Sequence, residues 1–186
     1  MPVQVAGEPG RAEPSGLCRR KAPAVSEAVK SLLGRLGALV PGYAGYADRE
    51  KRRESDQALR LSVAARLGTA RAVLDRRTAE CARTSRYDVL EPLDALSRRV
   101  AALADAVRHA PAGYSALFDA ATIGAVELDR LHAFDLAVKE ACEQVVEESE
   151  RLPAAVDVAG LERAGAAVTA AESAVARRAE SLREVR

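Results

Sequence analysis

Apolar residues recur at three- and four-residue steps along most of the chain, which is the spacing of one buried face of an α-helix. The pattern predicts a short first helix over residues 25–40 and longer helices over about 42–86, 90–109, 126–152 and 157–185. The connections are short enough for consecutive helices to run antiparallel. We therefore predict an all-α fold: an elongated up-and-down bundle of four long helices plus one short N-terminal helix.

Two segments lack this periodicity. Residues 1–23 carry Pro, Gly and charge without a repeating apolar face, so we interpret them as a disordered tail and residues 24–186 as a single helical-bundle domain. Residues 111–124 are also irregular and contain Tyr114 and Phe118, two of the few aromatic residues. This segment is interpreted as a connector packed over one end of the bundle.

The fifth predicted helix has a coiled-coil pattern. Leu161, Val168, Val175 and Leu182 are one heptad apart, and Ala164 and Ala171 occupy the alternate core positions. Such a helix needs a long partner helix. The partner is either within the same chain or in a second copy, in which case the protein self-associates through helix 5.

Charged residues interrupt two of the apolar stripes. The stripe through Leu59 and Val63 continues backwards to Asp56 and Arg52, and Asp135 lies inside the Leu131/Val138 stripe of the fourth helix. A buried charge must be paired, because leaving one partner alone costs about 3–5 kcal/mol. We therefore predict that Arg52 bridges Asp56 and Asp135. The full set of candidate binding residues at this Tyr/Arg-rich end is Tyr43, Tyr46, Arg49, Arg52, Arg53, Asp56 and Asp135.

Three interpretations of this cluster remain open. It is an ion-pair network that fixes helix register, a binding surface for an acidic partner or a phosphate-bearing ligand, or a catalytic site. The Arg52→Ala variant distinguishes them. Loss of ligand binding without unfolding favours a site, and unfolding favours a structural network.

The formal net charge is only +1, but charge is segregated along the chain. Residues 60–99 hold nine Arg against five acidic residues, whereas residues 119–150 hold nine acidic residues against Arg130 and Lys139. We expect these two segments to lie side by side in the bundle. A nucleic-acid surface is disfavoured, since no aromatic residues or binding motif accompany the arginines.

No metal or cofactor motif is present in the sequence. A di-iron bundle needs Glu-x-x-His on two helices, and the chain offers Asp129-x-x-His132 and a lone His109. His132 is off the centre of the apolar face, so we expect it to be half-exposed. There is no phosphate-binding glycine loop or nucleophile elbow either, which disfavours an enzyme. We predict no cofactor and no metal.

Cys18, Cys81 and Cys142 are far apart and lack metal-ligand spacing, which is typical of reduced thiols in a cytoplasmic protein. Cys81 and Cys142 fall on apolar faces and are expected to be small buried residues. No signal peptide or membrane span is evident. The dominance of Arg over Lys and the absence of Asn indicate a bacterial source with a GC-rich genome.

The run GYAGYADREKRRESDQALR over residues 42–60 resembles a GYxGYxxRExRRExDxxLR-like motif of an uncharacterised family of bacterial and archaeal all-helical proteins. Gly113, Tyr114 and Phe118, with residues 128–136 and their Phe134-Asp135 pair, resemble a second block of the same family. The resemblance covers about half the chain. It implies a helical fold and supplies no activity.

These observations favour a non-enzymatic protein-interaction or assembly module that uses its long helices and its Tyr/Arg-rich end. One alternative is a small-ligand, phosphate-binding or catalytic protein centred on the Arg/Asp cluster. Another is a peripheral membrane protein, because Arg19, Arg20 and Lys21 precede the amphipathic stretch 25–40. The partner itself is not specified by any motif.

Overall fold

A computed structural model of the chain describes residues 27–44, 49–110 and 125–184. Within these ranges the regular structure is helical: α1 (Glu27–Leu39), α2 (Arg49–Arg83), α3 (Leu90–Arg108), α4 (Ala125–Glu150) and α5 (Val158–Glu184), with a 3-10 turn at Tyr87–Val89. The all-α prediction is confirmed. The predicted tail and the 111–124 connector lie outside the described residues.

The helices run alternately up and down, and their packing order around the bundle is α3, α2, α4, α5. The Arg60 Nη1 group donates to the carbonyl of Ala110, so the start of α2 lies beside the end of α3 and the two are antiparallel. Helices α2 and α4 meet at two levels. Asp56 of α2 and Asp135 of α4 contact the same side chain, Arg178, and Arg66 bonds Glu143 ten residues further along α2 and eight further along α4. The two helices therefore run parallel. The short helix α1 packs on α4.

The core is built from Leu, Val and Ala along the whole bundle. In α5 the described heptad residues serve this core: Ala164, Val168 and Ala171 are buried, and Leu161 and Val175 are partly buried and packed against it. The heptad pattern is therefore used within the chain. Leu182 lies outside the described side chains.

Local sequence explains two of the helix boundaries. Pro41 and Gly42 follow α1, and Gly42 has φ +85°, a left-handed conformation that glycine adopts without a side-chain clash. At the start of α5, Asp157 Oδ1 accepts a hydrogen bond of 2.7 Å from the Gly160 amide. A Cβ at Gly160 would lie 2.7 Å from Asp157 Oδ1 and 2.9 Å from Leu152 Cδ2, so a larger residue would displace the capping carboxylate or the leucine.

The expected pairing of the basic and acidic segments is confirmed between α2 and α4. Arg66 contacts Glu143 at 2.6 Å, and Lys139 contacts the same carboxylate at 2.7 Å while donating to Ser62 Oγ at 3.1 Å. None of the described helices is long and apolar enough to cross a membrane.

Candidate functional site

Two carboxylates are buried at the end of the bundle where α2 and α4 begin. Asp56 and Asp135 both have no measurable solvent exposure. Each lies on a stripe that is otherwise apolar, Asp56 next to Leu59 on α2 and Asp135 between Leu131 and Val138 on α4. Parallel packing of α2 and α4 places them at the same level.

One guanidinium joins the two acids. Arg178, from the last turns of α5, donates from Nε to Asp135 Oδ1 at 2.6 Å and from Nη2 to Asp56 Oδ1 at 2.9 Å. Arg178 is only 9% exposed. The planar fork of arginine donors suits such a double carboxylate contact, and the low exposure strengthens both bonds. The bridge therefore connects α2, α4 and α5.

The remaining two carboxylate oxygens also receive donors. Arg60 Nε donates to Asp56 Oδ2 at 2.7 Å, one turn along α2, and the Tyr43 hydroxyl donates to Asp135 Oδ2 at 2.6 Å. We call Tyr43, Asp56, Arg60, Asp135 and Arg178 the Arg178 network. Each oxygen of both aspartates thus accepts a hydrogen bond from a different donor atom, and charge is balanced within the network.

Tyr43 belongs to the turn between α1 and α2. We call residues 40–44 the Tyr43 turn. Its backbone is held by a bond from the Tyr43 amide to the Val40 carbonyl at 3.1 Å and by one from the Ala44 amide to Ser55 Oγ at 3.0 Å. Ser55 is fully buried on α2. The turn is therefore attached to α2 through Ser55 and to α4 through Asp135.

Burial is the main influence on the pKa of Asp56. It raises the pKa of Asp56 above its ordinary value, and the charge of Asp135 acts in the same direction. Arg178 and Arg60 oppose this effect by stabilising the carboxylate. Asp56 thus depends on its two arginine partners to remain ionised.

His132 lies against the same cluster, contrary to the expectation that it is half-exposed. It is 2% exposed, and its ring meets the Tyr43 ring edge-on at a centroid distance of 6.3 Å. The expectation was wrong because α4 packs against α1, α2 and α5, so its buried face is wider than a single stripe. Burial lowers the pKa of His132, although Asp135 and Asp129 act to raise it.

The structure brings three of the seven predicted site residues together: Tyr43, Asp56 and Asp135. Tyr46 lies outside the described residues, and the side chains of Arg49, Arg52 and Arg53 lie outside the described side chains. The predicted bridge from Arg52 stays a prediction. The cation that spans the two aspartates in the described structure is Arg178.

Arg178 has a sequence signal that was not used. It follows Ala171 by one heptad, and Ala171 follows Ala164 by another, so Arg178 continues the alternate core line of helix 5. A charged residue on that line at the end of the helix indicates a buried partner. Arg60 had a simpler signal, since it is four residues after Asp56 on the same helix.

An open groove of about 550 Å³ lies beside the network. We call it the end groove. The Tyr43 turn provides one wall, and the outer face of α2 provides the other. Its lining residues are Pro41, Gly42, Glu54, Gln57, Ala58, Leu61 and Ser62. Leu61, on the outer face of α2, is 52% exposed in this groove.

Reactive thiols and metal ligands do not define the site. Burial raises the pKa of the Cys142 thiol to about 12, and Cys81 is also fully buried, as expected for small core residues. In the described ranges 27–44, 49–110 and 125–184, the His, Cys, Asp and Glu side chains form no group of three that would hold a metal ion.

Comparisons with known proteins add no relative to these observations. No protein-family model matches the chain. Comparison with curated proteins and with solved structures likewise gave no match.

Proposed function

We propose that the chain is a non-enzymatic protein-interaction module that binds an apolar side chain of a partner protein in the end groove. The observation that carries the proposal is the exposed Leu61 in a concave surface lined mainly by apolar atoms. Exposed apolar surface of this kind is typical of a docking site.

The Arg178 network supports a binding role over a catalytic one. A general base needs a carboxylate oxygen that is available to accept a proton, yet both oxygens of Asp56 and of Asp135 already accept short bonds from charged or hydroxyl donors. The network is better suited to positioning the Tyr43 turn, which forms one wall of the groove.

Ser62 supplies a polar contact at the groove. Its Oγ accepts a hydrogen bond from Lys139 Nζ, a buried ammonium that is itself paired with Glu143. The Ser62 hydroxyl can therefore donate its own hydrogen to an acceptor in the groove. A partner that places a backbone carbonyl next to its apolar side chain would supply that acceptor. Glu54 on the rim would favour a basic flanking residue.

The membrane alternative has less support from the position of α1. Its residues Leu36 and Val40 are buried in the core of the bundle. A lipid-facing role for this apolar face would require α1 to leave α4 first.

Site-specific photo-crosslinking tests the proposal. A photo-reactive amino acid is placed at position 61, and a matched control places it at Val158, an apolar residue of similar exposure at the other end of the bundle. We expect one discrete partner band in cells from position 61 and none from position 158. The partner is then purified, and its affinity is measured for wild type, Leu61→Arg and Val158→Arg. Affinity should fall at least tenfold for Leu61→Arg alone.

Two outcomes would contradict the proposal. Equal crosslinking from both positions would mean that the groove has no preferred occupant. Equal affinity of the purified partner for the two arginine variants would move the docking surface elsewhere. A crosslinked band of twice the mass of the chain would identify the partner as a second copy.

A further inference from the structure

The Tyr43 turn is the only described connection between α1 and α2, and a titratable group is buried directly beneath it. The Tyr43 ring packs on the His132 ring in a T-shaped contact. The Tyr43 hydroxyl donates a hydrogen bond to Asp135, which is three residues after His132 on α4. Closing the turn therefore buries the imidazole and completes the Arg178 network in the same step.

We infer that the Tyr43 turn is a proton-sensitive closure, which opens when His132 takes up a proton and closes when His132 is neutral. The physical reason is that a charged imidazole loses its hydration when the Tyr43 ring packs over it, whereas a neutral one loses little. Opening the turn returns water to the ring. Protonation and closure are thus linked equilibria.

The charges around His132 determine how strong this linkage is. On its own helix, Asp129 and Asp135 favour the imidazolium, but Asp135 is already engaged by Tyr43 and by Arg178 of α5. These carboxylates do not offset the effect of burial, which lowers the His132 pKa.

The neighbouring helices add charges that are paired. From α2, Asp56 is bonded by Arg60 and by Arg178, and from α1, Arg35 pairs with Glu140 on the surface of α4. Acidification also acts on Asp56, because burial raises its pKa and its protonation would weaken its bonds to the arginines. Both titrations therefore loosen the same cluster as pH falls.

The sign of the effect follows from the His132 pKa. The folded, closed state has a pKa below the ordinary histidine value of 6.5, so it binds fewer protons than the open state. Closure is fully favourable above about pH 6.5 and weakens as pH falls below it. A single coupled proton changes the opening equilibrium by up to about tenfold per pH unit.

Opening would also move Pro41 and Gly42, which form one wall of the end groove. That consequence for docking rests on the proposed function. The closure itself does not, because it concerns contacts within the chain.

Amide hydrogen exchange tests the closure directly. The backbone amides of Val40, Tyr43 and Ala44 are hydrogen-bonded within or next to the turn, so their protection reports its closed population. After correction for intrinsic exchange rates, we expect their protection in wild type to fall by about tenfold between pH 7 and pH 5.5, while core amides of α3 keep theirs. In His132→Gln most of the fall should disappear, leaving only the contribution of Asp56, and in the control His109→Gln, an exposed site, the full fall should persist.

A second measurement keeps the inference falsifiable if His132→Gln folds poorly. The chain has two histidines, so the ring signals of His132 are readily followed by NMR during a pH titration. We expect its pKa to be below the ordinary value in wild type and to rise by about half a unit or more in Tyr43→Phe, because a weaker closure opposes protonation less. A purely structural tyrosine would not move this pKa.

Three results would overturn the inference: unchanged turn protection between pH 7 and 5.5, a pH-dependent loss of protection that is as large in His132→Gln as in wild type, or a His132 pKa that is the same in wild type and Tyr43→Phe. None of them bears on whether a partner binds at Leu61. The crosslinking experiment decides that question separately.

Discussion

At the end where α2 begins, the bundle buries Asp56, Asp135 and Arg178, whereas towards the opposite end the same helices bury apolar residues, a thiol and the hydroxyls of Ser97 and Ser149. The residues that close that second end are Leu74, Cys81, Val89, Leu152 and Val156. We call these the polar end and the apolar end. Four helices run through both, so the difference arises from side chains rather than from topology.

The two kinds of packing contribute differently. Apolar burial stabilises the fold by about 25 cal/mol per Å² and tolerates many arrangements of similar volume. A buried ion network contributes little net stability, since desolvation offsets the attraction, but it is satisfied only in one register. We therefore interpret the apolar end as the main source of stability and the polar end as the part that fixes helix register and positions the Tyr43 turn.

The largest effect is expected from removing one member of the network. Asp135→Ala removes one carboxylate bonded by Arg178 and the oxygen that accepts the Tyr43 hydroxyl bond, at a position with little access to water. We expect a loss of about 3–5 kcal/mol in the free energy of unfolding, measured by urea denaturation at pH 7.

A variant with the whole network replaced is the control. Tyr43→Phe, Asp56→Leu, Arg60→Met, Asp135→Leu and Arg178→Met together remove the charges of the network on all three helices and the hydroxyl of the turn. This combination should lose less stability than Asp135→Ala alone, because it leaves no uncompensated buried charge in the network. If the combined variant is the less stable of the two, the network is a net source of stability and the contrast between the ends is incorrect.

A smaller but still large effect is expected at the apolar end. Leu152 is 1% exposed and packs against the start of α5. Its Cδ2 lies 2.9 Å from the point that a Cβ added to Gly160 would occupy. Leu152→Ala should cost about 3 kcal/mol, because the rigid surroundings leave most of the cavity unfilled. Leu61→Ala, at a half-exposed position, is the matched control and should change stability by less than about 0.5 kcal/mol. Similar losses in both would show that the apolar end is loosely packed.

The apolar end was well predicted from the sequence, and the polar end only in part. Helical periodicity located the helices within about three residues, since alternation of Leu, Val and Ala with charged residues reports burial directly. The exception is the predicted start of the second helix near residue 42, which was wrong: residues 40–44 form the Tyr43 turn, and α2 is described from Arg49. The same periodicity identified Asp56 and Asp135 as core-facing. Periodicity assigns a residue to a face but does not identify its partner on another helix.

The identity of the bridging cation depended on which helices are neighbours. Arg178 is 122 residues from Asp56 in sequence, and only the packing of α5 beside α4 brings it to the network. His132 was misjudged for a related reason. Its burial depends on the helices packed around α4 and on the Tyr43 ring beside it, which a helical wheel for α4 alone does not show.

Glu143 of α4 lies between the polar and apolar ends and accepts bonds from Arg66 and Lys139. Burial acts to raise the pKa of Glu143, but the bonds from Arg66 and Lys139 hold it below its ordinary value of 4.5. Its stabilising effect is therefore complete above pH 4.5 and is lost as pH falls through the lowered folded pKa.

The smallest effect is expected from Glu143→Gln, which should cost about 1 kcal/mol in the free energy of unfolding at pH 7. The difference from wild type should shrink when urea denaturation is repeated at pH 3.5. A difference that stays constant over this range would mean that Lys139, which is buried, is held by Ser62 and packing rather than by the carboxylate.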